Sequence, residues 1–273
     1  MNRKLLCTTL LLLPLPLLAA DNCPHARPID LTLDLAGIET LRFVTNAHDL
    51  AVNGGGSGTV SGRACASSAA LLDQLQIVQR RDGNTLTVEL QRNAPRSSLT
   101  WGKSRADITA TAAIPARLPV ELVVGSGDAA VDGVARLDAA IGAGDVAARN
   151  IPGPVQLKVG SGDVTLQDTG ALTVSSIGSG DLIARNIRGA LEIGAIGSGD
   201  ARITGVAGPA HLGTLGSGDV TLVDIGGDVS AGSIGSGDLE VRNVRGDLRV
   251  EHVGSGDVRR SGVTGKVSVP RGH

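Results

Sequence analysis

The sequence predicts an all-β fold, a single-stranded β-solenoid with about 18–19 residues per coil and a degenerate N-terminal β cap. Three observations carry that expectation. The phrase Gly-Ser-Gly-Asp recurs at Gly125–Asp128, Gly160–Asp163, Gly178–Asp181, Gly197–Asp200, Gly216–Asp219, Gly235–Asp238 and Gly254–Asp257, with Gly-Ala-Gly-Asp at Gly142–Asp145. Its aspartates step by 17, 18, 18, 19, 19, 19 and 19 residues, a fixed period of the kind that marks repeat architectures. Each period also divides into two halves, as in GSGDLEVRNV and RGDLRVEHV of Gly235–Val253, each with its own glycine and its own apolar–polar–apolar alternation.

Each half therefore reads as one glycine-bearing turn and one short, half-buried strand. Stacked coils turn every position into a ladder. Val124, Ile141, Val159, Ile177, Ile196, Leu215, Ile234 and Val253 precede the Gly-Ser-Gly-Asp turns. Five residues past each aspartate stand Gly133, Asn150, Asp168, Asn186, Gly205, Asp224, Asn243 and Gly262, the types that tolerate a left-handed backbone, so a second turn falls there. One residue on, the chain returns to the core at Val134, Ile151, Ile187, Val206, Ile225, Val244 and Val263, with Thr169 as the exception. A coil this short encloses a narrow aliphatic core, which fits one Phe, one Trp and no Tyr in 273 residues.

In chain order, residues 1–20 read as a signal peptide: Arg3 and Lys4, an apolar run over Leu5–Leu18, then Ala19-Ala20. The run is short for a membrane span and contains Pro14 and Pro16, and no later stretch is apolar enough to cross. Residues 21–119 form the irregular β cap. Within it, His48-Asp49-Leu50-Ala51-Val52 echoes the later Gly-Asp-Leu-x-Val phrase, and Ser67–Gln76 suits a short helix capped by Ser67 or Ser68. Leu75–Gln79 and Thr85–Leu90 flank Asp82-Gly83 as a hairpin, and Asn93–Lys103, with Trp101, reads as a surface loop. Residues 120–269 are the regular solenoid, and 270–273 a tail. Arg260 falls in the slot held by Val131, Leu166, Ile203, Leu222 and Val241 in earlier coils, so no full coil is expected to stack beyond it.

Export changes the reading of the cysteines. With Cys7 in the signal peptide, Cys23 and Cys65 remain, and a pair in an oxidising compartment forms a disulfide. The alternative is a metal pair with His25 or His48, a poor ligand set. Removing Arg3 and Lys4 also leaves 23 basic against 27 acidic residues, a balance that points to no nucleic acid.

The aspartate ladder is the feature with the character of a site. Asp128, Asp145, Asp163, Asp181, Asp200, Asp219, Asp238 and Asp257 would stack at strand spacing and repel unless hydrogen-bonded or bridged. One reading has each carboxylate accepting backbone N–H groups and the Ser hydroxyl in its turn. The other is calcium, as in glycine- and aspartate-rich β-rolls, although their acid recurs every nine residues. Here the second half-turn carries Pro154, Ala171, Ala190 and Pro209 where only Asp228 and Asp247 restore an acid. Arg245-Gly246-Asp247 falls where repeat drift accounts for it, and Arg149, Arg185 and Arg242 are placed to pair with Asp168 or Asp224 of neighbouring coils. A modest basic cluster of Arg80, Arg81, Arg92, Arg96, Lys103, Arg105 and Arg117 reads as a solvated face.

No catalytic constellation assembles. The histidines have no metal-binding spacing, and neither a P-loop nor a G-x-S-x-G elbow is present. Carboxylates on one face of a β-helix would suit glycoside cleavage, but the aromatic platforms that hold a sugar are missing.

Ile114–Asp128 (IPARLPVELVVGSGD), followed by the Gly-Ser-Gly-Asp coils behind a signal segment, resembles the bacterial β-strand-repeat proteins of adhesin type and the related head GIN group. The likeness is clearest over Ile114–Val269. It implies a right-handed β-helix-like solenoid in the periplasm or at the cell surface of a bacterium, and brings no catalytic residues. The expected function is a non-enzymatic structural or adhesive scaffold with an envelope or surface partner, protein or glycan. A calcium-binding β-roll-like module and a glycan-active β-helix enzyme are the alternatives.

Overall fold

The computed structural model describes residues 23–93 and 105–270. The expected signal peptide, Trp101 and most of the Asn93–Lys103 loop lie outside these residues. The chain is a β-solenoid built from two 12-stranded sheets with its aliphatic core between them.

The first coils are irregular. β1 (His25–Thr32), β2 (Thr40–Asn46), β3 (Asp49–Gly54) and β4 (Thr59–Ala66) lead to α1 (Ala69–Leu72), then β5 (Leu75–Asp82), β6 (Thr85–Arg92) and β7 (Ala106–Ile114). The Ser68 hydroxyl caps α1 by accepting the Leu71 amide at 3.4 Å. β5 and β6 form the expected antiparallel hairpin, but Asp82 pairs with Thr85, so the two-residue turn is Gly83-Asn84, with Gly83 at φ +57°. β1 runs antiparallel to β4, and β4 antiparallel to β7, at the start of the first sheet. Antiparallel strands thus cover the N-terminal end of both sheets. Cys23 and Cys65 are joined by a disulfide at the β1–β4 edge. The metal alternative is not formed: His48 is turned to the Ile108 amide instead.

Regular winding follows. The first sheet continues through β9 (Ala129–Asp132), β11 (Val146–Ile151), β13 (Val164–Thr169), β15 (Leu182–Ile187), β17 (Ala201–Val206), β19 (Val220–Ile225), β21 (Leu239–Val244) and β23 (Val258–Val263). The second takes β8 (Val120–Val124), β10 (Leu137–Ile141), β12 (Val155–Val159), β14 (Leu172–Ile177), β16 (Leu191–Ile196), β18 (Ala210–Leu215), β20 (Val229–Ile234), β22 (Leu248–Val253) and β24 (Val267–Ser268). Every contact between successive coils is parallel, and the register aligns like with like: Val131, Ala148, Leu166, Ala184, Ile203, Leu222 and Val241 stack in one column. Arg260 ends that column, exposed beside Val241.

The uneven steps have a local cause. Val155–Val159 pairs with Leu172–Ile177 through a register shift after Leu157, which leaves Ser175 as an extra residue on β14. Later coils keep this bulge, where Gly194, Gly213 and Gly232 stand. The link between the two sheets also lengthens, from Gly170-Ala171 to Arg188–Ala190. The two 18-residue coils therefore differ: the first has the longer link and the shorter strand, the second the reverse.

All eight positions expected to be left-handed have positive φ, between +55° and +77°. The residue after each turns inward, and Thr169 obeys the same geometry. It is fully buried between Ile151 and Ile187, and its hydroxyl has no hydrogen-bond partner. Thr169→Val keeps the shape and removes the unsatisfied group, so it is expected to stabilise the protein by about 1–3 kcal/mol. A rise in the urea midpoint at constant slope checks this; a fall would mean the hydroxyl is bonded in solution.

Candidate functional site

The Gly-Ser-Gly-Asp turns stack into one edge of the solenoid and are tied coil to coil by hydrogen bonds. The serine amide donates to the first glycine carbonyl of the preceding coil, as Ser161 to Gly142 (2.7 Å) and Ser198 to Gly178 (2.8 Å). After the aspartate, the strand ladder resumes toward the following coil, as Val164 N–H to the Asp181 carbonyl (2.8 Å). Between the two, the aspartate amide is taken by a side chain. Asp145, Asp163, Asp181, Asp200, Asp219, Asp238 and Asp257 each donate N–H to Oδ1 of the previous ladder aspartate at 2.8–3.1 Å. A carboxylate accepting a main-chain N–H is a strong, charge-assisted bond, and here it continues the sheet ladder through the turn.

The ladder begins one coil earlier than the repeat. Asp128 donates to Asp49 Oδ1 at 3.0 Å, and Leu50 pairs with Ala129, so His48-Asp49-Leu50 is the first turn of the series. His48 takes the place of the second glycine. Its ring is buried and Nδ1 accepts the Ile108 amide at 3.2 Å. Burial lowers its pKa, and a proton on Nδ1 would cost that bond. The opposite edge uses the same device where it has acids: Asp247 N–H donates to Asp228 Oδ1, and Lys266 N–H to Asp247 Oδ1, both at 2.8 Å. The aspartate of Arg245-Gly246-Asp247 is thus part of a structural ladder. The serine hydroxyls of these turns do not, among the described residues, join the carboxylates. Among the described residues, the bonded hydroxyl in these turns is Ser255, donating to Ser236 at 3.1 Å, which is why Ala143 can stand in a serine place.

A third ladder runs along the left-handed corner. Asn150, Asn186 and Asn243 donate Nδ2–H to Oδ1 of Asp132, Asp168 and Asp224 at 2.8–3.0 Å. This corrects the expected arginine pairing, because the amides occupy Asp168 and Asp224. Arg149 pairs with Asp132 (2.8 Å), Arg242 with Glu240 (2.9 Å), and Arg259 bridges Asp238 and Asp257 (2.8 and 3.1 Å). The Asn150 bond, helped by Arg149, holds Asp132 below the usual carboxylate range. The Asp257 amide, helped by Arg259, does the same for Asp238, and Arg242 for Glu240. In the basic cluster, Arg81 is tied to the Gly83 carbonyl, Arg92 to Gln74 and Arg105 to Asp107, while Arg96 and Lys103 lie outside the described residues.

Calcium takes 6–8 oxygens at about 2.3–2.6 Å. The ladder instead offers one carboxylate per coil, which from Asp49 to Asp238 already has one oxygen on an amide, and among the described residues no three His, Cys, Asp or Glu side chains converge to hold a metal.

Two features were not legible from spacing alone. On the second sheet, Glu192, His211, Ser230 and Arg249 align on successive coils, with His211 Nδ1 at 2.8 Å from Ser230 Oγ. The pair lies on a strand face whose main-chain amides serve the parallel ladder, with Arg249 on the next coil beside Ser230. The second is a shallow groove along the left-handed corner, lined by Asn186, Arg188, Asp224, Asn243 and Arg245. Its signal in the sequence is Arg188, Ala207, Gly226 and Arg245 at one place in four consecutive coils.

No protein-family model matches the chain, and no curated protein matches it. Among solved structures, it is similar to a candidate lipid binding protein from Parabacteroides distasonis (15% identity, 88% of this chain and 98% of the other, TM-score 0.47). It is also similar to a candidate adhesin from Bacteroides fragilis (15%, 87% and 98%, TM-score 0.44). A candidate cell adhesion protein from Clostridium sporogenes matches at 12%, over 86% and 99%, with TM-score 0.32. Likeness at this level assigns no ligand and no partner. No helix among the described residues is long and apolar enough to cross a membrane.

Proposed function

We propose that the protein is an exported, non-enzymatic scaffold of the bacterial cell envelope, a rod that presents fixed side chains to a surface partner. The observation that carries this reading is the commitment of the aspartate ladder to main-chain amides along the whole edge. With those carboxylates spent on holding coils together, what the rod offers outward is its regular, polar, rigidly spaced faces. The Cys23–Cys65 disulfide supports assembly in an oxidising compartment. The N-terminal segment, residues 1–20, supports export, and residues 120–269 serve as the presenting unit.

The structural reading of the ladder and the calcium reading part at a single atom. Asp200→Asn keeps Oδ1 as an acceptor for the Asp219 amide while removing the charge. If the ladder is structural, the variant melts within about 2 °C of the wild type, or above it because like-charge repulsion is relieved. The wild-type melt should also be the same in excess chelator and in millimolar calcium. A chain that unfolds on chelation, and an Asp200→Asn variant that calcium no longer rescues, would replace the scaffold with a calcium-dependent module.

A further inference from the structure

The groove at the left-handed corner has a defined origin. Ala207, Gly226, Arg245 and Thr264 each donate N–H to the coil before, at the Ile187, Val206, Ile225 and Val244 carbonyls, so with Arg188 they form one stacked column. Two small residues between two arginines leave a notch three coil steps long, about 14 Å at the usual strand spacing. Asn186, Asp224 and Asn243 form its polar wall, and the groove encloses about 730 Å³. Both arginines are exposed. The Arg188 guanidinium reaches one backbone carbonyl, that of Asp168, at 3.3 Å. No ion pair or hydrogen bond of the Arg245 guanidinium is present among the described residues. Asp224 is the sole carboxylate in the lining, and its Oδ1 is held by Asn243.

We infer that this notch binds a short carboxylated oligosaccharide, with a carboxylate at each guanidinium and ring hydroxyls on Asp224, Asn186 and Asn243. Two exposed forks of N–H donors, Arg245 and an Arg188 that spends one N–H on the Asp168 carbonyl, favour planar anions, which they can hold bidentately. Amides and a carboxylate between them suit hydroxyls rather than an apolar or phosphate-only ligand. The lining has no aromatic or large exposed apolar side chain to anchor a protein partner, so a sugar in this notch is held through its carboxylates and hydroxyls and not by ring stacking. The inference rests on the scaffold reading and names the ligand class of one face.

The test is calorimetric titration of the full mature chain with tetragalacturonic acid, with maltotetraose as neutral sugar and citrate as an anion without sugar. Two variants address the notch. Arg245→Gln removes one guanidinium, and Ala207→Glu fills the gap with a repelling carboxylate in a slot that carries arginine on nearby coils. Saturable binding of the uronate is expected, weakened about tenfold or more by either variant and by raising salt from about 50 to about 500 mM. Maltotetraose and citrate should bind at least about tenfold more weakly. Circular dichroism melts confirm that each variant is folded, and Arg188→Gln replaces any that is not. No binding to the wild type, binding that ignores both variants, or equal binding of citrate would overturn the inference. Such a failure leaves the scaffold reading standing if the folded rod still crosslinks to an envelope component, whereas unfolding on chelation strikes the scaffold reading and not the notch.

Discussion

Gly199→Ala is expected to lower the stability of the protein by about 3 kcal/mol or more, for a single methyl group at a buried glycine on the turn edge of the rod. A Cβ on Gly199 would stand 1.9 Å from the Gly180 carbonyl oxygen of the coil below, with Gly180 C and Ser179 C at 2.9 and 3.0 Å. These are backbone atoms, so no rotamer change relieves the clash. The coils would have to separate at the turn, and the Asp200–Asp181 and Asp219–Asp200 bonds would stretch with them. For a chain of this size the loss corresponds to a melting temperature lower by roughly 6–12 °C. Ser179→Ala is the control, since Ala143 already occupies the equivalent place, and it should melt with the wild type. If Gly199→Ala did so too, contact between stacked turns would not set the coil spacing.

Breaking the disulfide should produce the other large effect, at the opposite end of the energy scale from local sterics. Cys23 and Cys65 are 42 residues apart, and closing such a loop is worth about 4 kcal/mol on the chain-entropy estimate. The loss in Cys23→Ala/Cys65→Ala need not spread evenly. A solenoid coil touches only its neighbours, so its stability is a sum of local terms. β1 is an exposed edge strand whose pairing runs from His25–Ala66 to Thr32–Thr59. Hydrogen exchange should therefore accelerate first in β1 and β4, while β15 to β21 keep their protection. Uniform acceleration along the rod would show instead that the solenoid unfolds as one cooperative unit.

The resemblance between sequence and fold is uneven for reasons visible in particular residues. The eight left-handed corners were legible because only Gly, Asn and Asp stand there, and their φ values follow. The glycines of Gly-Ser-Gly-Asp were legible as turns but not for their reason: they need no positive φ, and the missing Cβ is demanded by the carbonyl of the coil below. The aspartates were legible as a ladder, whereas the acceptor–donor chain from Oδ1 to the next aspartate amide required the coil-to-coil distance. His48 hid the first rung, because a buried imidazole stands where later coils have glycine.

What the sequence by itself determined was the repeat: its period, its two strands per coil, its inward columns and its turns. Each of these is a local preference repeated until neighbours must agree, and periodicity writes such preferences into the order of residues. The tertiary structure decided what lies between coils. It placed the bulge at Ser175, gave Asp168 and Asp224 to asparagines rather than arginines, and opened the notch between Arg188 and Arg245. Those are contacts between residues 18 or 19 positions apart or more, set by which side chains stacking brings to one spacing. A one-residue change in link or strand length redirects them while leaving the period almost unaltered.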